Sequence, residues 1–410
     1  MRNTLVCQAR VGVCFVVLAM TMPTHGDVMF WTSHDRIWRA HFDGSGLATA
    51  VTGLTGARGI AVDVEGGKLY WTEGGRTIHR ANLDGSGAEV FYDEPFSNPW
   101  SLAIDSDARK IYWSSWSNFL PTIGRANLDG TSVEVVADDP DDNQPWGIAL
   151  DVVQQDVYWS MHGSGVAKAK FDGTAVDVIL THDQIPGATR DIALDLSGRK
   201  VYVADNNTVM RANLDGTNLE TFVTQSFGFP TGIAVDDVEQ KVYWTHPSNS
   251  GSVARIQRAN LDGTDIETVV TVTNSGFSSI ALVHAIPGDT DDDFDIDDVD
   301  LSRLLSNFGF TGLNRGTHDG DFDLDRVVGD VDLSVLLSNF GTSGGTSRAA
   351  NQLSGATIPE PTFFGMFGVA IVMMLMRRSQ HPRHMRAGTS PEHQDCARGK
   401  TDPIKMLVVA

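Results

Sequence analysis

Short apolar runs alternate with turn residues from Val28 to Val283, and the same order of runs returns in six imperfect copies. In the copy from Leu54 to Asp93 the runs are Gly59-Ile60-Ala61-Val62-Asp63, Lys68-Leu69-Tyr70-Trp71-Thr72-Glu73, Ile78-His79-Arg80-Ala81-Asn82 and Ala88-Glu89-Val90-Phe91-Tyr92. Each run has the length and apolar content of a strand, and turn residues fill the gaps, so every copy predicts four short strands. A repeat of about 40 to 47 residues carrying four strands points to a propeller blade or a comparable array. The pair Tyr70-Trp71 returns as Phe30-Trp31, Tyr112-Trp113, Tyr158-Trp159, Tyr202-Val203 and Tyr243-Trp244. The pair Asp84-Gly85 returns as Asp43-Gly44, Asp129-Gly130, Asp172-Gly173, Asp215-Gly216 and Asp262-Gly263, which predicts six tight type I′ turns and so six blades.

Blades stack face to face, so both sides of each sheet are buried, and paired aromatics replace a strict in-out alternation. The copy that starts at Val28 has no innermost strand. Ser279-Ile280-Ala281-Leu282, after the sixth copy, aligns with Gly59-Ile60-Ala61-Val62 and is expected to close the first blade. Arg39, Arg80, Arg125, Lys168, Arg211 and Arg258 share one repeat position, which assigns them to a blade carboxylate or carbonyl. Asp63, Asp105, Asp151, Asp195 and Asp236 sit at strand ends and read as turn formers. Positions that differ between copies carry the recognition signal. Just before the innermost strands, at one mouth of the channel, come Arg58, Trp100, Trp146 and Arg190, with Thr231 and Ser278 completing the ring. Aromatics and arginines are enriched in binding hot spots.

The runs around Tyr70-Trp71-Thr72, Arg80-Ala81-Asn82-Leu83-Asp84-Gly85 and Gly59-Ile60-Ala61-Val62-Asp63 resemble the low-density-lipoprotein-receptor class B repeat, the YWTD six-bladed propeller. The resemblance implies that fold over the propeller region and a face that binds protein modules. The Asp that ends the family's motif is Glu73, Ser115, Met161 and His246 in four copies and survives as Asp205.

From Gly288 the period changes. Between Gly288 and Asp332 fourteen Asp face three Arg, a dense share of the formal charge of -21. That balance argues against a nucleic-acid surface, which needs clustered Lys and Arg. Two loops lie 32 residues apart. The first holds Asp289, Asp291, Asp293, Asp295, Asp297 and Asp300, followed by Leu301, Leu304, Leu305 and Phe308 at helical spacing; the second holds Asp321, Asp323, Asp325 and Asp332, followed by Leu333, Leu336, Leu337 and Phe340. Carboxylates at alternate loop positions and at the helix start converge on a hard cation, and oxygen ligands select calcium. Position 6 of each loop, where glycine makes the sharp turn, is Phe294 or Arg326, and position 9 of the second is Gly329, so the second site is expected to be the weaker. The pair resembles a dockerin type I module, which implies two calcium sites and a cohesin-like partner contacted through Asp298-Val299 and Asp330-Val331.

The ends read as sorting signals. Residues 1–26 carry Arg2 and Arg10, then an apolar run from Val11 to Met20, which predicts a secretory signal peptide. All three cysteines, Cys7, Cys14 and Cys396, lie outside the propeller, leaving neither a disulfide framework nor a thiol nucleophile there. Near the C-terminus, Pro359-Glu360-Pro361, an apolar run from Thr362 to Met376, and Arg377-Arg378 resemble a PEP-CTERM sorting signal, implying a membrane segment removed after export.

The sequence therefore predicts a mainly β protein. Its parts are a signal peptide (1–26), a six-bladed propeller (27–285), a small α-helical calcium-loop module (286–341), a Gly/Ser/Thr linker (342–358), a sorting signal with a transmembrane segment (359–378) and a tail (379–410). The function expected is non-enzymatic binding, with calcium as cofactor, at the cell-envelope surface or in the extracellular matrix. The partner is a protein or polysaccharide of the envelope. The alternative is a lactonase- or phosphoesterase-like propeller hydrolase using a channel metal. Such a site needs several inward carboxylates or amides at unlike repeat positions, and the sequence offers none.

Overall fold

A computed structural model describes residues 27–340, except 94–97, 118–120, 139–143, 164, 186, 225–227, 248–252, 274, 286–287, 290–295, 297, 310–321 and 323–326. The chain divides into two units, Met1–Ser347 and Arg348–Ala410, and all described residues belong to the first.

Each sequence repeat folds into antiparallel strands, giving six four-stranded sheets. From the innermost strand outward, blade 2 is Ile60–Asp63, Lys68–Glu73, Thr77–Asn82 and Glu89–Asp93. Blade 3 is Asn98–Asp105, Lys110–Trp116, Thr122–Asn127 and Glu134–Asp138. Blade 4 is Pro145–Asp151, Asp156–Met161, Gly165–Lys170 and Asp177–Thr181. Blade 5 is Thr189–Asp195, Lys200–Asp205, Thr208–Asn213 and Glu220–Thr224. Blade 6 is Ile233–Asp236, Lys241–His246, Val253–Asn260 and Glu267–Thr273. Blade 1 takes Val28–Ser33, Arg36–His41 and Ala48–Thr52 from the start of the propeller and Phe277–Val283 from its end. The register of that last strand is the one the alignment demands, because Trp31 pairs with Ile280 as Trp71 pairs with Ile60. Each innermost strand touches the next, around a closed ring of six.

The core lies between blades. Trp31, Trp71, Trp113, Trp159 and Trp244 are fully buried together with Tyr70, Tyr112, Tyr158, Tyr202 and Tyr243. In blades 2, 3, 5 and 6 the repeat cation ties neighbouring blades. Arg125 meets Glu134 at 2.6 Å on its own blade and donates to the Phe171 carbonyl of the next at 2.7 Å; Arg258 meets Glu267 at 2.7 Å and donates to the Phe42 carbonyl at 3.0 Å. The strand-end aspartates do more than form turns. Buried Asp63 and Asp151 receive Arg109 and Arg199 of the following blade at 2.8 and 2.9 Å, and Asp151 also accepts from the Gln154 N–H at 2.9 Å.

The Asp-Gly turns differ from the expected type. The aspartates are not left-handed, whereas Gly85 has φ +85° and donates to the Asn82 carbonyl at 2.8 Å. These are therefore type I turns centred on Leu83-Asp84, with glycine as the bulge residue, instead of type I′. Glycine is required twice over at Gly85, because a Cβ there would lie 1.8 Å from the Ala50 carbonyl oxygen of blade 1.

Beyond the propeller, α1 (Asp298–Asn307) and α2 (Asp330–Asn339) form where the leucine spacing places them. Ile296, Leu304, Val328, Leu333 and Leu336 are buried there. Among the described residues no helix is long and apolar enough to cross a membrane, and the apolar run 362–376 lies outside the described residues.

Candidate functional site

The mouth of the channel is built, in five of the six blades, by the hydroxyl residue that follows the buried Trp on the second strand. Thr72 accepts from the Gly59 N–H at 2.9 Å and donates to the Trp100 carbonyl of blade 3 at 3.0 Å. Ser160 accepts from Gly147 at 2.8 Å and donates to the Arg190 carbonyl at 3.3 Å, and Thr245 accepts from Gly232 at 2.8 Å and donates to Ser278 at 2.7 Å. Ser114 donates likewise to the Trp146 carbonyl and Thr32 to the Arg58 carbonyl. The residues the sequence singled out are thus the ones whose backbone this clasp fixes. Each such bond is worth about 1 kcal/mol net, and losing one buried partner costs more.

Trp100, Trp146 and Arg190 do not precede their strands, as the sequence suggested; they lie inside them, at register irregularities between Pro99 and Leu102, Pro145 and Ile148, and Thr189 and Asp191. The extra residue at such a bulge re-aims its side chain. The result is a ladder. Arg58 Cζ stands 3.8 Å above the Trp100 ring, Trp100 stacks on Trp146 with centroids 4.7 Å apart and planes 15° apart, and Arg190 Cζ lies 5.6 Å from the Trp146 ring and 4.2 Å from Phe229. His162 stacks on Trp146 at 4.1 Å. Sequence reasoning missed His162 and Phe229, which lie outside the strands and away from the repeat positions compared.

Burial lowers the pKa of Arg58 and of Arg190, the latter opposed by Asp205; burial and then Arg190 lower that of His162. Neither arginine forms an ion pair among the described residues. Thr231 turns its hydroxyl to the Phe277 carbonyl at 2.9 Å and so belongs to the frame.

Directly below the ladder a small cavity with room for about one water is lined by Gly59, Ser101, Gly147, Asp191 and Ser279. These positions and Gly232 alternate around the ring as Gly59, Ser101, Gly147, Asp191, Gly232, Ser279. A Cβ on Gly147 would lie 2.6 Å from the Asp191 Cα, so glycine in alternate blades makes room for a side chain in the next. Asp191 is an inward carboxylate at an unlike position, which the sequence reading overlooked. It stands in the blade whose clasp residue is Ala204, and it links the same two blades through other groups, accepting from Ile192 N–H at 3.0 Å and from Ile233 N–H of blade 6 at 3.1 Å. Burial raises its pKa to about 7 against those two bonds. The lining thus contains a single carboxylate, both of whose oxygens hold backbone.

In the acidic module, Asp289, Asp300 and Asp332 are 5, 0 and 1% exposed. Asp332 accepts from the Phe322 N–H at 2.6 Å and from the Gly329 N–H at 2.7 Å, capping its own helix. Asp289 and Asp300 are the first and last positions of the first loop and Asp332 the last of the second; among the described residues no three metal-ligating side chains cluster. Asp291, Asp293, Asp295, Asp297, Asp321, Asp323 and Asp325 lie outside the described residues, as do Pro359, Glu360, Pro361, Arg377 and Arg378. Asp298 and Asp330 open the two helices, and Val299 and Val331 are exposed at 49 and 57%.

The family model for the low-density lipoprotein receptor repeat class B matches residues 109–152. That stretch runs from the second strand of blade 3 through the innermost strand of blade 4, so the sequence repeat is offset from the blade by one strand. The chain carries a low-density lipoprotein receptor class B repeat within a six-bladed propeller. It is 32% identical over 179 residues to a low-density lipoprotein receptor-related protein 5-like protein of Homo sapiens, covering 43% of this chain and 54% of that protein. It is 31% identical over 193 residues to vitellogenin receptor Yl of Drosophila melanogaster, covering 45% of this chain and 9% of that one. The chain thus spans about half, or much less, of the length of these relatives. A chain in the crystal structure of a nidogen/laminin complex superposes with a TM-score of 0.54 at 17% identity, over 63% of this chain and 98% of that one, and shares the fold.

Proposed function

We propose that this chain is an exported, non-enzymatic binding protein whose propeller captures a protein partner on the face made by Arg58, Trp100, Trp146 and Arg190. The observation that carries the reading is the continuous ladder of two arginines and two tryptophans, held by the clasp at one mouth of the channel. Rigid aromatics lose little entropy on binding, and the two arginines bring positive charge without an ion pair among the described residues to a chain of formal charge -21. The receptor names of two relatives and the protein complex in which the structural neighbour was solved support a protein partner over a polysaccharide. The cavity below the ladder, whose one carboxylate is committed to backbone, gives the hydrolase reading no support.

The acidic pair serves as a calcium-stabilised attachment module, supported by its buried carboxylates and by Val299 and Val331 on its surface; a cohesin-like module is its candidate partner. The signal peptide and the C-terminal motif direct the chain to the cell-envelope surface or extracellular matrix. To test the mouth, the fragment Asp27–Asn339 is immobilised, its protein partner is captured from the extracellular fraction, and affinity is compared with Trp100→Ala and Trp146→Ala. Each variant is expected to lose about 2 kcal/mol or more of binding, roughly thirtyfold. Unchanged affinities in both place the binding face elsewhere.

A further inference from the structure

We propose that blade 1 carries a carboxylate-binding site centred on Arg39. In four blades the repeat cation is neutralised by a glutamate directly across the outer strand pair: Arg80 by Glu89 at 2.7 Å, Arg125 by Glu134 at 2.6 Å, Arg211 by Glu220 at 2.5 Å and Arg258 by Glu267 at 2.7 Å. In blade 4 Lys168 faces Asp177 in the same register and lies 4.0 Å from Asp156. On the other side the cation meets a tyrosine hydroxyl, as Arg125 meets Tyr112 at 3.4 Å and Arg258 meets Tyr243 at 3.0 Å. Blade 1 keeps the cation and replaces both partners. Phe30, without a hydroxyl, pairs with Arg39 on one side, and Ala48, without a carboxylate, on the other.

The substitution extends one step along the strands. In blades 2, 3, 5 and 6 a lysine at the start of the second strand reaches an asparagine at the end of the third, as Lys110 reaches Asn127 at 2.8 Å and Lys200 reaches Asn213 at 2.6 Å, and blade 4 reverses the polarity with Asp156 and Lys170 at 2.5 Å. In blade 1 those positions are Val28 and His41. The shorter Val28 leaves a cavity of about 160 Å³ lined by Val28, Arg39, Ala40, His41 and Gly46. Gly46, at φ +65°, keeps it open: a Cβ there would lie 2.7 Å from the His41 ring. Arg39 forms no ion pair and no hydrogen bond among the described residues; Asp84 of blade 2 feels its charge but is bonded to Ser86. An arginine beside such a cavity, where its counterparts each hold a carboxylate, is a seat for a carboxylate supplied from outside the chain.

The probe is acetate, tested on the full chain against chloride at matched ionic strength by thermal unfolding, with saturation-transfer NMR of acetate as a direct measure of binding. The midpoint is expected to rise saturably, by about 2 to 4 °C at ten times the dissociation constant, with a saturation-transfer signal. Ala48→Glu restores the pair found in the other blades, so it should start at a higher midpoint and lose both responses; Arg39→Ala should lose both as well. Responses in Ala48→Glu equal to those of the wild type, or a wild type without a saturation-transfer signal, would overturn the site. An equal response to sulfate would overturn its assignment to carboxylates.

Discussion

Single side chains bridge seams of this ring, and the seam between blades 6 and 1 uses a different chemistry from those between blades 2 and 3 and between blades 4 and 5. Where Arg109 and Arg199 bridge blades 2 to 3 and 4 to 5, His284 bridges Asp236 at 3.0 Å and Asp27 at 3.4 Å. Burial alone disfavours its charge, but the hydrogen bonds and charges of Asp236 and Asp27 raise its pKa to about 10 from 6.5. A folded-state pKa above the unfolded one means that the stabilisation is fully present below about pH 6.5 and fades as pH rises through about 10. His284→Gln should therefore cost roughly 1 to 3 kcal/mol at pH 6 and much less at pH 10.5, as read from urea unfolding at both. A cost independent of pH would show that the imidazole acts by packing alone. The sequence announced Asp236 by its repeat position, but not His284, because a histidine after the last strand has no aligned counterpart. Asp191 was hidden differently, at a repeat position that is glycine or serine in the other blades. It became visible when Ala204 proved to leave the clasp without its hydroxyl, a relation between two residues that only strand pairing brings together.

Elements were more legible than the side chains they aim. Strand existence followed from periodicity, and helix existence from Leu304 and Leu336, both fully buried. Bulges and turn types did not follow, because they depend on register and backbone angles that composition leaves open. Trp100 and Trp146 looked like residues before a strand and are residues within one. If the helical pair binds calcium as proposed, the dry carboxylates Asp300 and Asp332 at the starts of α1 and α2 would couple helix formation to cation binding. The isolated segment from Ile286 to Gly341 should gain helical circular dichroism on adding millimolar calcium. Asp300→Ala and Asp332→Ala should each weaken calcium binding at least tenfold. An unchanged spectrum would reduce the pair to a solvated acidic spacer.

For the whole molecule, the ring count and the closing strand could both be read from the chain, because each blade repeats its aromatic pair and one blade is short by a strand. That strand determines the integrity of the ring. A chain truncated after Thr273 leaves blade 1 with three strands and Met29 and Trp31 beside an open edge, whereas one truncated after Ala285 retains all six sheets. The first should unfold at a clearly lower temperature or aggregate, and the second should melt like the intact propeller; equal midpoints would contradict closure by Phe277–Val283. The same topology also sets a schedule for biosynthesis. Val28–Ser33 is made first and its inner partner last, so at about 5 to 20 residues per second the edge waits on the order of tens of seconds for its mate. An unpaired edge of that kind is a template for strands of other chains. Crowded nascent chains of this protein thus have a window in which strand exchange between molecules competes with ring closure within one.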